Sequence, residues 1–561
     1  MCRPIIIASL VSLLLACGGG GGSGGNQTTT TTPPGGGSAP PTPPPAPADP
    51  TTAELNSASR FLARTTFGAT WEEIDAVARQ GEALWLDTQF ATPASKHLQT
   101  VATIYDALES DDNLDPDGFW RYAWWSTVLP ADDQLRQRVA YALSQIFVVS
   151  AQVEELPTTV VALPAYYDLL AEHAFGNFRD LLRAVTLSPA MGLYLSHLNN
   201  AKANPATNTF PDENYAREVM QLFSIGLFEL NADGSQRLDN NGQPIPTYDN
   251  DDIREFAEVF TGLSFGGDNQ TFGTRFGGDW AVPMRMFDEA HDESEKNLLN
   301  GTTLPAGQSG IEDLDGAIDN LFNHPNVGPF IGRQLIQRLV TSNPSPAYIG
   351  RVTEAFNAAP RGDMRRLLRA ILLDPEATAA VGSDDRFGKL REPFLRYVAL
   401  NRQLGAAPES GSIFGVDGGV VRFTTGQHVL ESPSVFNFYS PDFVPSQAFA
   451  ADALVAPEFQ ITTANKVIGV SNLIAFSIFS NTLDTTNGLP EILLNVEDLE
   501  TLATDLDALL DRLDTQFTYG TLRPEARTAI RDAAAITAEP ADRLQIALYL
   551  LLNSPDYAVA L

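Results

Sequence analysis

The chain has 561 residues, 36 of them basic and 69 acidic, for a formal net charge of −33. That balance argues against nucleic acid or other polyanions as partners, because the surface field repels them. The only cysteines are Cys2 and Cys17, so disulfides, thiolate catalysis, Fe–S clusters and Cys–zinc sites are excluded from everything after residue 17.

Residues 1–16 read as a lipoprotein signal peptide. A single early base, Arg3, precedes an apolar stretch from Ile5 to Leu15, and Leu14-Leu15-Ala16-Cys17 closes it. The stretch is too short to span a bilayer as a stable anchor. The expected mature chain starts at a diacylated Cys17, whose acyl chains hold it to membrane lipid on a bacterial surface. Gly18 stands where an aspartate would retain a lipoprotein at the inner membrane, so a host with two membranes is expected to carry it on the outer one. Residues 17–50 form a Gly-, Thr- and Pro-rich tether that cannot bury enough apolar surface to offset its ordering entropy. Residues 51–561 form the globular body, large enough for a sizeable core.

The body reads as all-α. Residues 132–150 place Leu135, Val139, Leu143, Ile146 and Phe147 at helical spacing, and residues 212–229 do the same with Tyr215, Val219, Leu222 and Phe223. Residues 327–340, 386–403 and 498–513 behave similarly. Trp120, Trp124 and Trp125 share one helical face, a core pattern. One short β-hairpin is expected within Asn231–Asp249, at its Asp-Gly and Asn-Gly turns. FRDLLRAVTLSP at 178–189 and MRRLLRAILLDP at 364–375 coincide in register, with a looser third copy at 544–555. This echo suggests a duplicated helical hairpin, either within one large multi-helical domain or as two packed lobes.

Two segments carry polar chemistry. In the first, Glu213 and Arg217 form an i,i+4 pair, as do Asn214 and Glu218, and Glu218 borders the apolar arc. A half-buried glutamate beside an arginine suits a tuned acid, a metal ligand or an anion clamp; the competing reading is an ion network that ties helices together. In the second, residues 287–296, His291 and Asp292 are adjacent and Glu293, Glu295 and Lys296 follow. That pattern suits a metal edge or a base with its orienter; the competing reading is a helix-capping histidine in a solvated loop. The candidate catalytic residues are therefore Glu218, Arg217, His291 and Asp292, and the candidate binding residues Glu213, Asn214 and Lys296. A divalent metal, if one is held, would use His291, Asp292 and Glu218. A shared pocket for both segments is expected. His324-Pro325 reads as a helix start, and His173 and His197 as packing residues. Zincin, di-iron and phosphate-loop signatures are absent from the sequence, and Ser432 and Ser434 flank Pro433 without a nucleophile elbow.

Seven pieces in order, Ala58–Gly68, Leu135–Val149, Pro211–Gly226, Phe260–Gly262, Phe287–Gly301, His324–Leu339 and Ser432–Tyr439, resemble the bacterial exported domain-of-unknown-function family number eighteen hundred. The resemblance covers nearly all of the chain after the tether. It implies a predominantly helical exported protein with no established activity. It also implies a possible exported partner similar to sulfatases and alkaline phosphatases, because the two families often travel together genetically. Relatives often carry His where this chain has Phe223, so a role that needs that histidine is not open to it. Two functions follow as expectations: a surface binding or accessory protein working with an exported partner, and a metal-dependent or acid–base hydrolase of an extracellular substrate.

Overall fold

Helices build the described chain, and their ends are written locally. The computed structural model describes residues 49–108, 118–275, 277–384, 386–409, 411, 413–416, 418–480 and 491–561; Cys17 and the tether as far as residue 48 lie outside them. Thr51 and Glu54 close a capping box on the helix Thr52–Thr65, and Thr70 and Glu73 do so on Trp71–Gln80. Each box satisfies two backbone donors that would otherwise be orphaned. Proline at the first turn starts Pro346–Asn357, Pro393–Gln403, Pro524–Ala534 and Pro540–Leu552, where its missing N–H costs nothing.

Residues 49–561 form one compact unit, with no division into lobes. At its centre Trp124 and Trp125 are fully enclosed, their rings edge to face at 5.4 Å, and Phe67 meets Trp124 at the same distance. The tryptophan stripe is therefore core, as its spacing predicts. Phe223 is enclosed too, packed on Phe147 at 5.3 Å.

The internal echo has a structural counterpart. Its first two copies are the helices Phe178–Thr186 and Met364–Leu372, each followed by a proline-initiated helix, Pro189–Tyr194 and Pro375–Thr378. Each copy is preceded by a longer helix, Ala162–His173 and Pro346–Asn357. The caps Asn177 and Asp363 pair as an antiparallel bridge. Phe178 N donates to Gly362 O (2.9 Å) and Met364 N to Gly176 O (3.0 Å), a reciprocal exchange that gives the two hairpins local two-fold character.

Helix boundaries move inward from the periodic stretches. The second expected helix runs only from Asn214 to Gln221, because Ile225 N and Gly226 N both return to Met220 O and close its end. The stretch 386–403 begins its helix at Pro393, since Lys389–Leu390 pairs as a strand with Val559–Ala560. The stretch 498–513 is two helices, Glu497–Leu502 and Leu506–Leu513. His324 precedes the helix Val327–Leu339 rather than starting it; Asn326 is the cap. The turn-rich segment near 231–249 folds back through isolated bridges, Leu230 to Gln236 and Leu238 to Pro244, with turns closed by Gly234 N to Asn231 O and Gly242 N to Asp239 O. Beyond that single expected hairpin, four two-stranded pairings occur among the described residues.

Candidate functional site

The second polar segment is built by close backbone approach. The helix Asn250–Val259 ends at Phe260, and Gly262 turns the chain at φ +87°. A Cβ there would stand 2.9 Å from Phe287 O and 3.0 Å from His291, so only glycine admits the 287–291 segment. Gly310 opens the helix Gly310–Phe322, and a Cβ on it would lie 2.7 Å from the His291 ring. These two glycines seat His291 against the first turn of that helix, where Asp313 stands.

His291, Lys296 and Asp313 are all enclosed. His291 Nδ1 lies 3.0 Å from Thr261 O, and Nε2 lies 3.0 Å from Asp313 Oδ2. Lys296 Nζ reaches the same carboxylate oxygen at 2.8 Å and donates to Asp292 O (2.6 Å) and Ser294 O (2.9 Å). The Asp292 side chain turns back on its own loop, accepting from Ser294 N at 2.8 Å. Burial pushes the Asp313 carboxyl up, but hydrogen bonds from His291, Lys296 and Gln308 outweigh it and hold it below its usual range. The cluster therefore fastens a loop, a helix end and a helix start together, with its polar atoms spent on one another.

The first segment divides. Glu213 and Arg217 meet at 3.4 Å with both side chains about two-fifths exposed, at 44% and 42%. Asn214 is exposed, its backbone N bonded to Asp212 Oδ1 at 2.8 Å. Glu218 points the other way. It is buried, its Oε2 has no hydrogen-bond partner, and burial raises its carboxyl against the pull of Arg217. Its charge is felt by Tyr194 and Tyr248, both pushed up to about 12, chiefly by burial. Tyr194 also approaches Ser432, so Glu218 shares a neighbourhood with the Ser432–Tyr439 segment.

The two segments are neighbours through one stretch of backbone. Asp212 N donates to Asn200 Oδ1 (2.9 Å), Gly262 N to Asn200 O (2.8 Å) and Lys202 N to Ala290 O (2.9 Å). Their charged groups nevertheless keep separate partners: His291, Asp292 and Lys296 gather around Asp313 and its loop, while Glu218 faces Tyr194 and Tyr248. Among the described residues, no group of three or more His, Cys, Asp or Glu side chains is arranged to hold a metal ion.

Sequence reading missed a third cluster. Glu392 is fully buried and accepts from Tyr141 Oη (2.8 Å), Gln145 Nε2 (2.8 Å), Tyr439 Oη (3.0 Å) and Gln427 Nε2. Burial pushes its carboxyl up, yet Lys389, Arg138 and these hydrogen bonds hold it below its usual value. Lys389 in turn sits 2.9 Å from buried Glu458. The available signal was scarcity: the chain has five lysines, and Lys296 and Lys389 are the two that are buried.

A groove of about 820 Å³ opens between the helices His97–Leu108, Ala162–His173 and Phe178–Thr186 and the loop 280–283. Leu98, Leu169, Leu187 and half-buried Trp280 give it an apolar lining, and Lys96, Glu172, Asp180 and Arg183 add charges of both signs. His173 lines this groove, whereas His197 packs as expected, stacked on Tyr215 at 3.9 Å.

A family model described as Protein of unknown function (DUF1800) matches residues 60–559. The chain belongs to that family. No curated protein and no solved structure matches it. In this DUF1800 chain, pieces that are far apart in sequence meet around Glu392: Tyr141 and Gln145 come from the Leu135–Val149 piece, and Tyr439 ends the Ser432–Tyr439 piece.

Proposed function

We propose that this chain is a lipid-anchored protein of the bacterial cell envelope that binds a partner or polymer outside the cytoplasm rather than transforming it. The observation that carries the reading is the state of His291: it is enclosed, and each ring nitrogen already faces a protein oxygen. A general base must reach the proton it takes, and this imidazole presents no open edge. The groove beside Trp280 has the volume and the apolar lining of a ligand site. Leu14-Leu15-Ala16-Cys17 and the Gly- and Pro-rich run behind it support a lipid anchor at Cys17 with a spacer, in the outer membrane where the host has two. No helix among the described residues is long and apolar enough to cross a membrane. An exported sulfatase- or phosphatase-like protein is the partner that family resemblance suggests.

The test uses the full chain in its host envelope. A photo-crosslinking residue in place of Trp280 is expected to give a discrete adduct that is lost with Cys17→Ser, and the same residue in place of exposed Arg254, on the helix Asn250–Val259, to give none. The absence of an adduct at position 280 would overturn the binding reading. One observation favours the hydrolase instead: Glu218 keeps a buried, unbonded oxygen with a raised pKa, the state of a carboxyl suited to donate a proton.

A further inference from the structure

A second cavity lies apart from the groove, and its chemistry is one-sided. It measures about 50 Å³, room for several waters or one small anion, since a single water needs roughly 10–15 Å³. Arg64, Arg138, Arg338, Lys389 and Arg391 share its walls with a single carboxylate, Glu392. One more carboxylate, Glu458, stands behind Lys389 at 2.9 Å. Setting aside Arg64, which bonds the terminal residue Leu561, four cations thus face two acids, inside a protein whose net charge is −33.

The cations are set rigidly. Arg138 Nη2 donates to Arg338 O (3.0 Å), and Arg338 Nη2 to Gln145 O (2.9 Å). Lys389 Nζ donates to Gln337 O (2.7 Å) and Arg338 O (3.1 Å), and Arg64 Nη2 to Leu561 O (3.0 Å). The Arg391 guanidinium lies over the Tyr557 and Tyr519 rings, 4.8 and 5.2 Å from their centroids. After these bonds, three buried guanidinium nitrogens lack a partner: Arg138 Nη1, Arg338 Nε and Arg391 Nη2. Arg138 and Arg338 are only 4% and 3% exposed.

Water could satisfy the three N–H groups but could not balance the charge, and unbalanced buried charge is costly. Guanidinium forks match the geometry of tetrahedral oxyanions better than that of spherical ions. Half-buried Ala63, Arg391, Leu395 and Ala560 lie at the cavity's rim, where an ion can enter. We propose that this cavity is a binding site for a small tetrahedral oxyanion, sulfate or phosphate, held by Arg138, Arg338 and Arg391. Burial also lowers the Arg391 guanidinium from its ordinary value.

The test is a set of thermal melts and calorimetric titrations of the full chain in detergent. The probes are inorganic sulfate, inorganic phosphate and methyl phosphate, each against chloride at equal ionic strength. Saturable binding of at least one oxyanion is expected, with Tm raised by about 2–5 °C over chloride. Arg391→Gln is expected to weaken binding about tenfold or more, through loss of one charge-assisted contact, and Arg391→Lys to restore part of it. Arg391 makes fewer backbone bonds than Arg138, so it carries the test if Arg138→Gln does not fold. Tighter binding of methyl phosphate than of inorganic phosphate would mark the source as the esterified end of a larger molecule; the reverse would mark the free ion. If no probe binds saturably beyond chloride, or if Arg391→Gln and Arg338→Gln both bind as the wild type does, the proposal is overturned.

Discussion

Charge is buried both around Asp313 and around Arg391, and it is balanced differently in the two places. At Asp313 one carboxylate meets Lys296 and His291, and the lysine's remaining donors end on backbone carbonyls. At Arg391 four cations, Arg64 set aside, share walls with Glu392, and three guanidinium nitrogens remain unbonded. A balanced cluster holds the fold together. An unbalanced one retains unspent interaction energy, which a ligand can use. Residue type alone does not distinguish them, since both combine Lys or Arg with acids.

The largest expected effect breaks the balanced side. Asp313→Ala leaves an enclosed lysine with only the distant Asp292 carboxylate, at 3.9 Å, and is expected to cost about 3–5 kcal/mol of stability by urea unfolding. The double variant Lys296→Met, Asp313→Leu should recover part of that loss, because it removes both buried charges. A cost below about 1 kcal/mol for Asp313→Ala would mean that the cluster does not clamp the fold.

Acid provides the next test. Asp313 and Glu392 are both held below their ordinary values when folded. A depressed carboxyl contributes stability that is fully present above its unfolded pKa, about 4, and is lost as pH falls through its folded value. Stability is therefore expected to decline below about pH 4, and Asp313→Asn to flatten that decline. Glu458 and Glu431 act in the opposite sense: burial raises both, so their contribution is present at low pH and lost as pH rises through their folded values. An acid limb with the same slope in wild type and Asp313→Asn would remove Asp313 from the balance.

Periodicity and local chemistry made much of the fold legible, and little of the third cluster. The Trp120–Trp125 stripe, the Asn214–Gln221 helix and the repeated Leu-Leu-Arg-Ala helices depend on spacing within a few turns, which a sequence displays directly. Glu392 depends on Tyr141, 251 positions away, and on Tyr439, 47 positions away in the other direction. Asp313 reads locally as one more acid in a capped first turn, beside Ser309 and Glu312. Its partners His291 and Lys296 arrive through chain reversals at Gly262 and across the Lys296–Leu304 hairpin, which no helical period reports. The Glu218 helix is legible as a helix, but the neighbours of its carboxylate, Tyr194 and Tyr248, come from other segments.

Glu218 lies between the two extremes, and the effect of changing it is correspondingly small. Its carboxyl is raised by burial, so the charged form at neutral pH opposes folding. Glu218→Gln is expected to leave the melting temperature at pH 7 unchanged or slightly higher, by calorimetry, and to narrow the difference between pH 5 and pH 7. A fall of several degrees would show that Glu218 is a structural tie like Asp313. Loss of a hydrolytic activity with an unchanged melting temperature would favour the enzyme reading.

The smallest effect belongs to the exposed pair. Glu213 and Arg217 meet at 3.4 Å with two-fifths of each side chain in water, so their attraction is screened and partly offset by the entropy of holding two long side chains. Glu213→Ala is expected to cost no more than about 0.5 kcal/mol by urea unfolding, and less in high salt. Arg217→Ala separates two roles, because Arg217 also draws down the Glu218 carboxyl. If the exposed pair is its only contribution, the two variants should match. If Arg217 also supports the buried carboxylate, Arg217→Ala should cost more than Glu213→Ala at pH 7, and the excess should vanish in a Glu218→Gln background. A residual excess in that background would show that Arg217 acts through neither partner, and that its charge answers to a third group.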